Sequence, residues 1–353
     1  MKNTINSYIK SFIVFSLKAL AKVIGGKALL EVCAEALAGI SGYVTYHARP
    51  KTAAEVRTKS DVVRGQKALS IVMQGPIIVK DDFTLETSKI YKKHFPGANI
   101  ILSTWGTENP EAIGRIKASG VNVVLNEKPL QAGVSNINLQ IVSSRAGVLA
   151  ARAAGAEYVL KTRTDQRIYA PNAAEFLYNI TEAFPLKGNY PKQKKRIVGC
   201  GLNTFKYRMY GLSDMLTYGH VDDMAMYWDV ELDQRVFDKE QTEAAQTSLR
   251  NFALWRICEV YLTTEFLSKA GRELKWTLRD SWQAFSDHFC LIDKEQLDLY
   301  WPKYNHSEYR WLNYGDDVGY KNEFSFREWL NVYSNLQSKE VPEGVLDLTG
   351  EEK

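Results

Sequence analysis

Apolar residues recur in short runs along the first half of the chain, and amphipathic stretches separate these runs. The apolar runs predict buried strands over 68–77, 98–105, 121–127 and 157–165. Helical spacing predicts helices over 81–94, 110–119 and 137–154. This alternation predicts an α/β fold of the Rossmann type, in which helices flank a mainly parallel sheet.

The second half has a less regular pattern. Apolar runs predict strands over 196–203 and 207–216, and a turn leading into a helix follows over 219–229. Helical spacing then predicts one long helix over 247–270. Beyond it, the pattern predicts mixed elements rich in aromatic residues as far as Trp311.

Residues 1–50 have a different pattern. Their apolar runs are interrupted by lysines and fall short of the ~20 apolar residues that span a bilayer. The pattern instead predicts one or two amphipathic helices that carry Lys2, Lys10, Lys18, Lys22 and Lys27. Such helices can lie on the inner face of the cytoplasmic membrane, or pack on the rest of the chain or on a second copy.

Polar and apolar composition also predicts the domain boundaries. We expect a helical segment over 1–50, a linker over 51–67, a catalytic domain over 68–313, and a C-terminal helix with a polar tail over 314–353. The net charge of +4 is too small and too dispersed to indicate a nucleic-acid partner. The four cysteines form no CxxC pair, which favours a reducing cytoplasmic location over a zinc site or disulfide framework.

Polar residues follow three of the predicted parallel strands. These strand ends are Gln74-Gly75-Pro76, Thr104-Trp105 and Arg163-Thr164-Asp165. Right-handed connections bring such ends to one edge of the sheet, where ligands bind in open α/β folds. The first turn could contact a nucleotide base through Gln74, although a plain turn explains the same tripeptide.

The stretch around Asp165 is typical of a diphosphate site. Asp165 could hold a divalent cation, and Arg163 or Arg167 could neutralise the leaving nucleotide. A structural salt bridge at a strand end is the alternative. Asn138 near the start of a long helix is a candidate for either a capping role or a contact with the donor sugar.

Carboxylates in the second half are candidates for a general base. They are Asp214, Asp223 and Glu259, and Glu259 is the first choice because it lies in an apolar helical segment. A hydrogen-bonded structural glutamate would give the same pattern.

The ordered motifs QGPI, SKIYKKHFPGANIILSTW and NINLQIVSSRAGVLAARAAGAEYVLKTRTDQRIY resemble the WavE family of lipopolysaccharide-synthesis proteins. The segments YGLSDMLTYGHVDDMAMYW and CEVYLTTEFL extend the resemblance, which covers about 70–313. It implies a bacterial glycosyltransferase with a GT-A-like fold, which would move a sugar from a nucleotide-sugar donor to a glycan or glycolipid acceptor.

In GT-A enzymes an Asp-x-Asp motif holds Mn²⁺ or Mg²⁺ against the donor diphosphate, and the resemblance places that motif on residues 163–165. Arginine stands at the first position, so either Asp165 binds a metal or Arg163 replaces the metal charge. A sugar nucleotidyltransferase and a non-catalytic scaffold of a polysaccharide-assembly complex are the alternative functions.

Overall fold

The computed structural model describes residues 2–41, 47–57, 68–188, 190–236, 238–245, 247–302, 323–336 and 340. The chain forms two compact units, Met1–Pro50 and Lys51–Lys353. Parts of the predicted linker and tail, including 58–67 and 341–353, lie outside the described residues, as does 303–322.

The first unit consists of two helices, α1 (Lys2–Ile24) and α2 (Gly26–Ser41), which contact each other. Gly25 joins them with a φ of 87°, a left-handed conformation that glycine adopts without steric cost. Two amphipathic helices are therefore present, as the sequence predicts. Within the part of the chain that the structure describes, no helix has both the length and the apolarity needed to cross a bilayer.

The second unit is built on a sheet and its covering helices. Its strands are β1 (Leu69–Gln74), β2 (Asn99–Trp105), β3 (Asn122–Asn126), β4 (Tyr158–Arg163), β5 (Arg167–Ile168), β6 (Ile197–Cys200), β7 (Thr217–His220), β8 (Phe289–Ile292) and β9 (Leu299–Tyr300). Its helices are α3 (Phe83–His94), α4 (Pro110–Ala118), α5 (Ile137–Ala153), α6 (Ala173–Ala183), α7 (Val221–Trp228), α8 (Lys239–Ala245), α9 (Leu249–Trp255), α10 (Cys258–Lys269), α11 (Leu278–His288) and α12 (Phe326–Asn335).

Seven strands form the main sheet in the order β3-β2-β1-β4-β7-β6-β8. Strand β7 is antiparallel to both of its neighbours, and every other pairing is parallel. This confirms the predicted α/β fold with a mainly parallel sheet and flanking helices. Strands β1 and β4 are buried along nearly their whole length because they lie in the middle of the sheet.

A second, small sheet pairs β5 with β9 in antiparallel fashion, with Arg167 opposite Tyr300. Strand β5 begins two residues after Asp165, and β9 ends one residue before Trp301. Antiparallel pairing therefore brings the Trp301 side chain to the carboxylate of Asp165, although the two residues are 136 positions apart.

The strand predicted over 207–216 is wrong. This segment is an irregular loop whose side chains Met209, Leu212 and Leu216 are fully buried, which explains why it has the apolar content of a strand. Tyr210 adopts a left-handed φ of 55°, which a strand does not allow. The strand β7 begins only after this loop, at Thr217.

The single helix predicted over 247–270 is also wrong, because the chain breaks between α9 and α10. Arg256 has a left-handed φ of 56° and ends α9. The guanidinium of Arg235 donates to the carbonyl oxygens of Trp255 and Arg256 and so satisfies this helix end. The break places Glu259 in the first turn of a new helix.

Residues 51–57 of the predicted linker belong to the second unit and pack on α3. Ala53 and Val56 are buried, the Ala53 amide donates to Glu86, and Lys93 donates to the Ala53 carbonyl. This part of the chain is therefore attached to α3.

Candidate functional site

The carboxyl ends of the parallel strands bring several of the predicted donor-binding residues to one edge of the sheet. Gln74 at the end of β1 is in register with Ser103 on one side and Arg163 on the other. Thr104 and Trp105 end the adjacent strand β2. The side-chain oxygens Oε1 of Gln74 and Oγ1 of Thr104 are buried and have no hydrogen-bond partner among the described residues, so both can bond to a ligand.

Gly75 turns the chain at this edge with a φ of 122°. A Cβ atom there would lie 2.9 Å from Oγ1 of Thr164, and the Thr164 amide donates to the Gln74 carbonyl at 3.0 Å. Glycine is therefore needed to pack the β1 end against the β4 end. Pro76, the next residue, is exposed.

Arg163 and Asp165 form a two-pronged ion pair at the end of β4. Nε and Nη2 of Arg163 donate to the two carboxylate oxygens of Asp165 at 2.8 and 2.9 Å. The indole of Trp301 donates to Oδ2 of Asp165 at 3.1 Å, and the Arg163 guanidinium lies 5.5 Å from the Trp301 ring centroid. Burial opposes ionisation of Asp165, but the hydrogen bond and charge of Arg163 outweigh it and lower the pKa of this carboxyl.

A loop and a helix start supply the opposite side of the site. The loop between β6 and β7 carries Asn203, Arg208 and Asp214, and the first turn of α10 carries Cys258 and Glu259. The Cys258 thiol lies 3.6 Å from Oδ2 of Asp214, which joins the two segments. The sequence places these residues far apart, and the irregular loop that replaces the predicted strand brings them together.

Glu259 has one well-defined contact and one open oxygen. Nδ2 of Asn203 donates to its Oε1 at 2.6 Å, and Nη1 of Arg208 lies 3.6 Å from the same oxygen, beyond hydrogen-bond length. Its Oε2 receives no side-chain hydrogen bond from the described residues. Burial, together with the negative charge of Asp214, raises the pKa of Glu259.

Lys161, a residue of β4, is fully buried and contacts the loop that carries Asp214. Its Nζ donates to the carbonyl of Asp214 and lies 4.6 Å from the centroid of the Trp228 ring. Burial lowers the pKa of Lys161 to about 8. This residue could have been found in the sequence, since a lysine within the apolar run YVLKTR is unusual for a buried strand.

The loop that carries Arg208 and Asp214 is fastened to α11. The Tyr210 amide donates to Oγ of Ser281 at 2.8 Å, and its hydroxyl donates to Asp280. The Trp282 indole donates to the Lys206 carbonyl at 2.8 Å. These bonds hold Asp214 in position although the loop has no regular secondary structure.

The structure separates three predicted site residues from this group. Arg167 points into the core, where its guanidinium donates to Oγ1 of Thr87 at 2.9 Å and to the carbonyls of Phe83 and Lys51 at 3.0 and 2.8 Å. Each of its nitrogens therefore contacts α3 or residue 51, and the predicted role in neutralising the diphosphate stays a prediction for a side chain that lies apart from Arg163.

Asn138 also lies within a network of its own. Its amide donates to the carbonyls of Gln131 and Asp233 at 3.0 and 2.8 Å, and its oxygen accepts from the Asp233 amide at 2.7 Å. The side chain ties two loops together, and a contact with the donor sugar stays a prediction. Gln140, two residues later, instead lies 3.4 Å from the Cys258 thiol, and its buried Oε1 has no partner among the described residues.

Asp223 lies at the opposite edge of the sheet, because β7 runs antiparallel and α7 starts beside the beginning of β4. Its two oxygens accept the backbone amides of Lys194 and Lys195, both at 2.8 Å. Burial raises its pKa to about 6, but the residue is remote from Arg163 and its oxygens are occupied. In the structure it anchors the loop at Lys194 and Lys195, and its predicted role as a base stays a prediction.

The sequence profile of the WavE lipopolysaccharide synthesis family matches residues 69–348. The chain belongs to this family. The match covers most of the second unit, including Arg163, Asp214 and Glu259. No curated protein is detectably similar in sequence to this WavE family member.

Two solved structures resemble parts of the chain. One is the mannose-1-phosphate geranyltransferase from Thermus thermophilus, with 18% identity and a TM-score of 0.24, over 38% of this chain and 41% of that one. The other is a mannosyltransferase from Pyrobaculum calidifontis in complex with GDP-Man and Mn²⁺, with 12% identity and a TM-score of 0.29, over 66% of this chain and 77% of that one. At these values neither match bears on the site.

Proposed function

We propose that this chain is a glycosyltransferase that moves a sugar from a nucleotide-sugar donor to a glycan or glycolipid acceptor. The acceptor would belong to lipopolysaccharide or another bacterial surface polysaccharide, as the family description suggests. The observation that carries the proposal is that a guanidinium fixed by Asp165, that of Arg163, and a carboxyl of raised pKa, that of Glu259, both interact electrostatically with Asp214, and that Arg163 ends a strand of a mainly parallel sheet.

In this proposal the nucleotide lies along the ends of β1 and β2. Gln74 and Thr104 offer buried polar atoms, unpartnered within the described chain, to the base or ribose, and Gly75, Pro76 and Trp105 shape the same edge. The diphosphate lies at Arg163, whose positive charge stabilises the negative charge that develops on the leaving nucleoside diphosphate.

Glu259 is the proposed general base. The acceptor hydroxyl transfers its proton to the Glu259 carboxylate while its oxygen bonds to the anomeric carbon of the donor. The bond from that carbon to the diphosphate oxygen breaks, and the nucleoside diphosphate leaves with the electron pair. A raised pKa brings Glu259 nearer to the pH at which a carboxylate is an efficient base. Asp214 raises that pKa and helps to orient the acceptor.

Nucleotide binding tests this function first. Thermal unfolding of the full chain is measured with UDP, GDP, CMP and their common sugar conjugates, since a ligand that binds only the folded state raises Tm. We expect one nucleotide class to raise Tm, and the matching sugar nucleotide to release its nucleotide when acceptor glycolipid is added: nucleoside diphosphate from UDP or GDP conjugates, or CMP from CMP conjugates. Binding of a nucleoside triphosphate and sugar 1-phosphate instead would support the nucleotidyltransferase alternative, and no binding would support the scaffold.

We also propose that α1 attaches the chain to the inner, cytoplasmic face of an anionic membrane. Large apolar side chains of α1 are exposed, and Tyr8, Phe12, Phe15 and Val23 are 73%, 71%, 71% and 81% exposed. Lys10, Lys18 and Lys22 are exposed on the same helix. Because lysines can meet anionic headgroups while exposed apolar side chains enter the acyl boundary, this composition favours a lipid surface over a protein partner.

Vesicle co-sedimentation checks the membrane proposal. We expect the chain to sediment with vesicles that contain phosphatidylglycerol, less at high salt, and not after the double change Phe12→Ser and Phe15→Ser. Leu130→Ser is the control, because Leu130 is a fully exposed apolar residue of the second unit. Equal sedimentation of both variants, or dimers held together by α1 in the absence of lipid, would refute the proposal.

A further inference from the structure

The carboxylate of Asp165 already accepts hydrogen bonds from other side chains of the protein. Both of its oxygens accept hydrogen bonds from Arg163, and Oδ2 also accepts from Trp301. A divalent cation at this position would have to displace a two-pronged, charge-assisted pair and would lie next to a guanidinium of the same charge. The predicted Mn²⁺ or Mg²⁺ therefore does not fit Asp165 as the structure presents it.

Among the described residues, other ligands for a metal are not assembled around Asp165. Within the described residues, no group of three or more His, Cys, Asp or Glu side chains could hold a metal ion. The acidic residues Asp214 and Glu259 instead interact with cations of the protein. The charges of Lys161 and Asp214 attract each other, and Arg208 lies beside Glu259.

Arg163 is arranged to bind an anion. Asp165 fixes its Nε and Nη2, and the Trp301 ring lies against its guanidinium, which therefore cannot rotate freely. Its third nitrogen, Nη1, makes no hydrogen bond within the described part of the chain, and a quarter of the side chain is exposed to solvent. A planar guanidinium with one fixed edge and one open nitrogen is well suited to phosphate oxygens.

Arg208 supplies a second charge on the opposite side. Its Nη1 is buried without a hydrogen-bond partner among the described residues, since Glu259 lies 3.6 Å away. Both Arg163 and Arg208 interact electrostatically with Asp214. A buried unsatisfied guanidinium nitrogen costs free energy that an anionic ligand would recover.

We propose that this site binds the donor diphosphate without a divalent cation, through Arg163 with support from Arg208. Asp165 is then a positioning residue that orients Arg163, and Trp301 holds the pair in place. The proposal rests on the proposed glycosyltransferase function, and it replaces the metal of the Asp-x-Asp motif with protein cations.

Calorimetric titration of the full chain with UDP and GDP tests the proposal, in EDTA and in Mn²⁺. We expect the same Kd, within about twofold, in both buffers. Arg163→Met should weaken binding about 10- to 100-fold in EDTA, because a hydrogen bond to a charged group is lost. Asp165→Asn should weaken it about tenfold in EDTA, with no rescue by Mn²⁺.

Arg152→Met is the matched control, since Arg152 is an exposed arginine that pairs with Asp222 at the opposite edge of the sheet. Its Kd should equal that of the unaltered chain. Tighter binding in Mn²⁺ by tenfold or more, lost in Asp165→Asn, would overturn the metal-free site and leave the glycosyltransferase proposal standing. Failure of both nucleotides to bind in either buffer would overturn the diphosphate site, and the glycosyltransferase proposal would fall with it if CMP and the sugar conjugates also left Tm unchanged.

Discussion

Carboxylates lie at both edges of the main sheet, but the hydrogen bonds that they accept differ between the two edges. At the start of α7, each oxygen of Asp223 accepts a backbone amide at 2.8 Å. At the opposite edge, counting only described residues, Glu259 keeps an oxygen without a side-chain donor and lies beside an Arg208 nitrogen that has no hydrogen bond. A carboxylate whose oxygens all accept hydrogen bonds is typical of a structural anchor. Polar atoms that lack hydrogen-bond partners are typical of a site that a ligand completes.

From this comparison, we expect the largest effect to be a loss of turnover in the Glu259→Gln variant. Removal of the proposed base should lower kcat by about 10²- to 10⁴-fold, while nucleotide binding is retained. Sugar transfer measured under saturating donor checks this. A decrease of less than tenfold in folded protein would exclude Glu259 as the base.

A smaller effect is expected on the pH dependence of stability, through the charge of Lys161. Its pKa is lowered from 10.5 to about 8 in the folded state. Between these values the folded protein binds fewer protons than the unfolded chain, so the free energy of unfolding should rise with pH. The rise should approach about 3 kcal/mol between pH 7.5 and 10.5.

Denaturant unfolding of Lys161→Met over the same pH range provides the comparison. This variant should lack the rise, while ionisation of the buried tyrosines contributes equally to both proteins and cancels in the difference. Parallel pH profiles for the two proteins would contradict a buried ammonium at this position.

The smallest effects are expected at the Asp223 edge, and they concern stability only. Asp223→Ala leaves two backbone amides without acceptors and should lower the free energy of unfolding by about 2 kcal/mol. Asp222→Ala, which removes a more exposed ion pair with Lys194, should cost less than about 1 kcal/mol. Both variants should retain full turnover per folded molecule, and a loss of turnover at either one would place this edge in the reaction.

The first half of the fold could be predicted from the sequence, because each parallel strand there is a continuous apolar run that ends at a turn. The second half could not be predicted as well. The buried loop over 207–216 has the apolar content of a strand, and Arg235, distant in sequence, ends α9 where the helical pattern continues. Tertiary contacts override local preference at both places.

The candidate site, like the fold, could be predicted from the sequence only in part. Arg163 and Asp165 could be found because they follow a buried strand, and Glu259 because it is a carboxylate in an apolar segment. Arg167 has the same local sequence context as Arg163, and only its contacts with Thr87 and Phe83 distinguish it. No local signal marks Trp301, because its contact with Asp165 depends on the pairing of β5 with β9.

That pairing also has a consequence for the timing of biosynthesis. The ribosome makes Asp165 136 residues before Trp301. At roughly 5–20 residues per second, this interval lasts about 7–27 s. The nascent chain can therefore assemble its first four parallel strands while Arg163 still lacks the indole that holds it. A chain truncated before β9 would lack the Trp301 indole, so Asp165 alone would hold Arg163 in the proposed anion site.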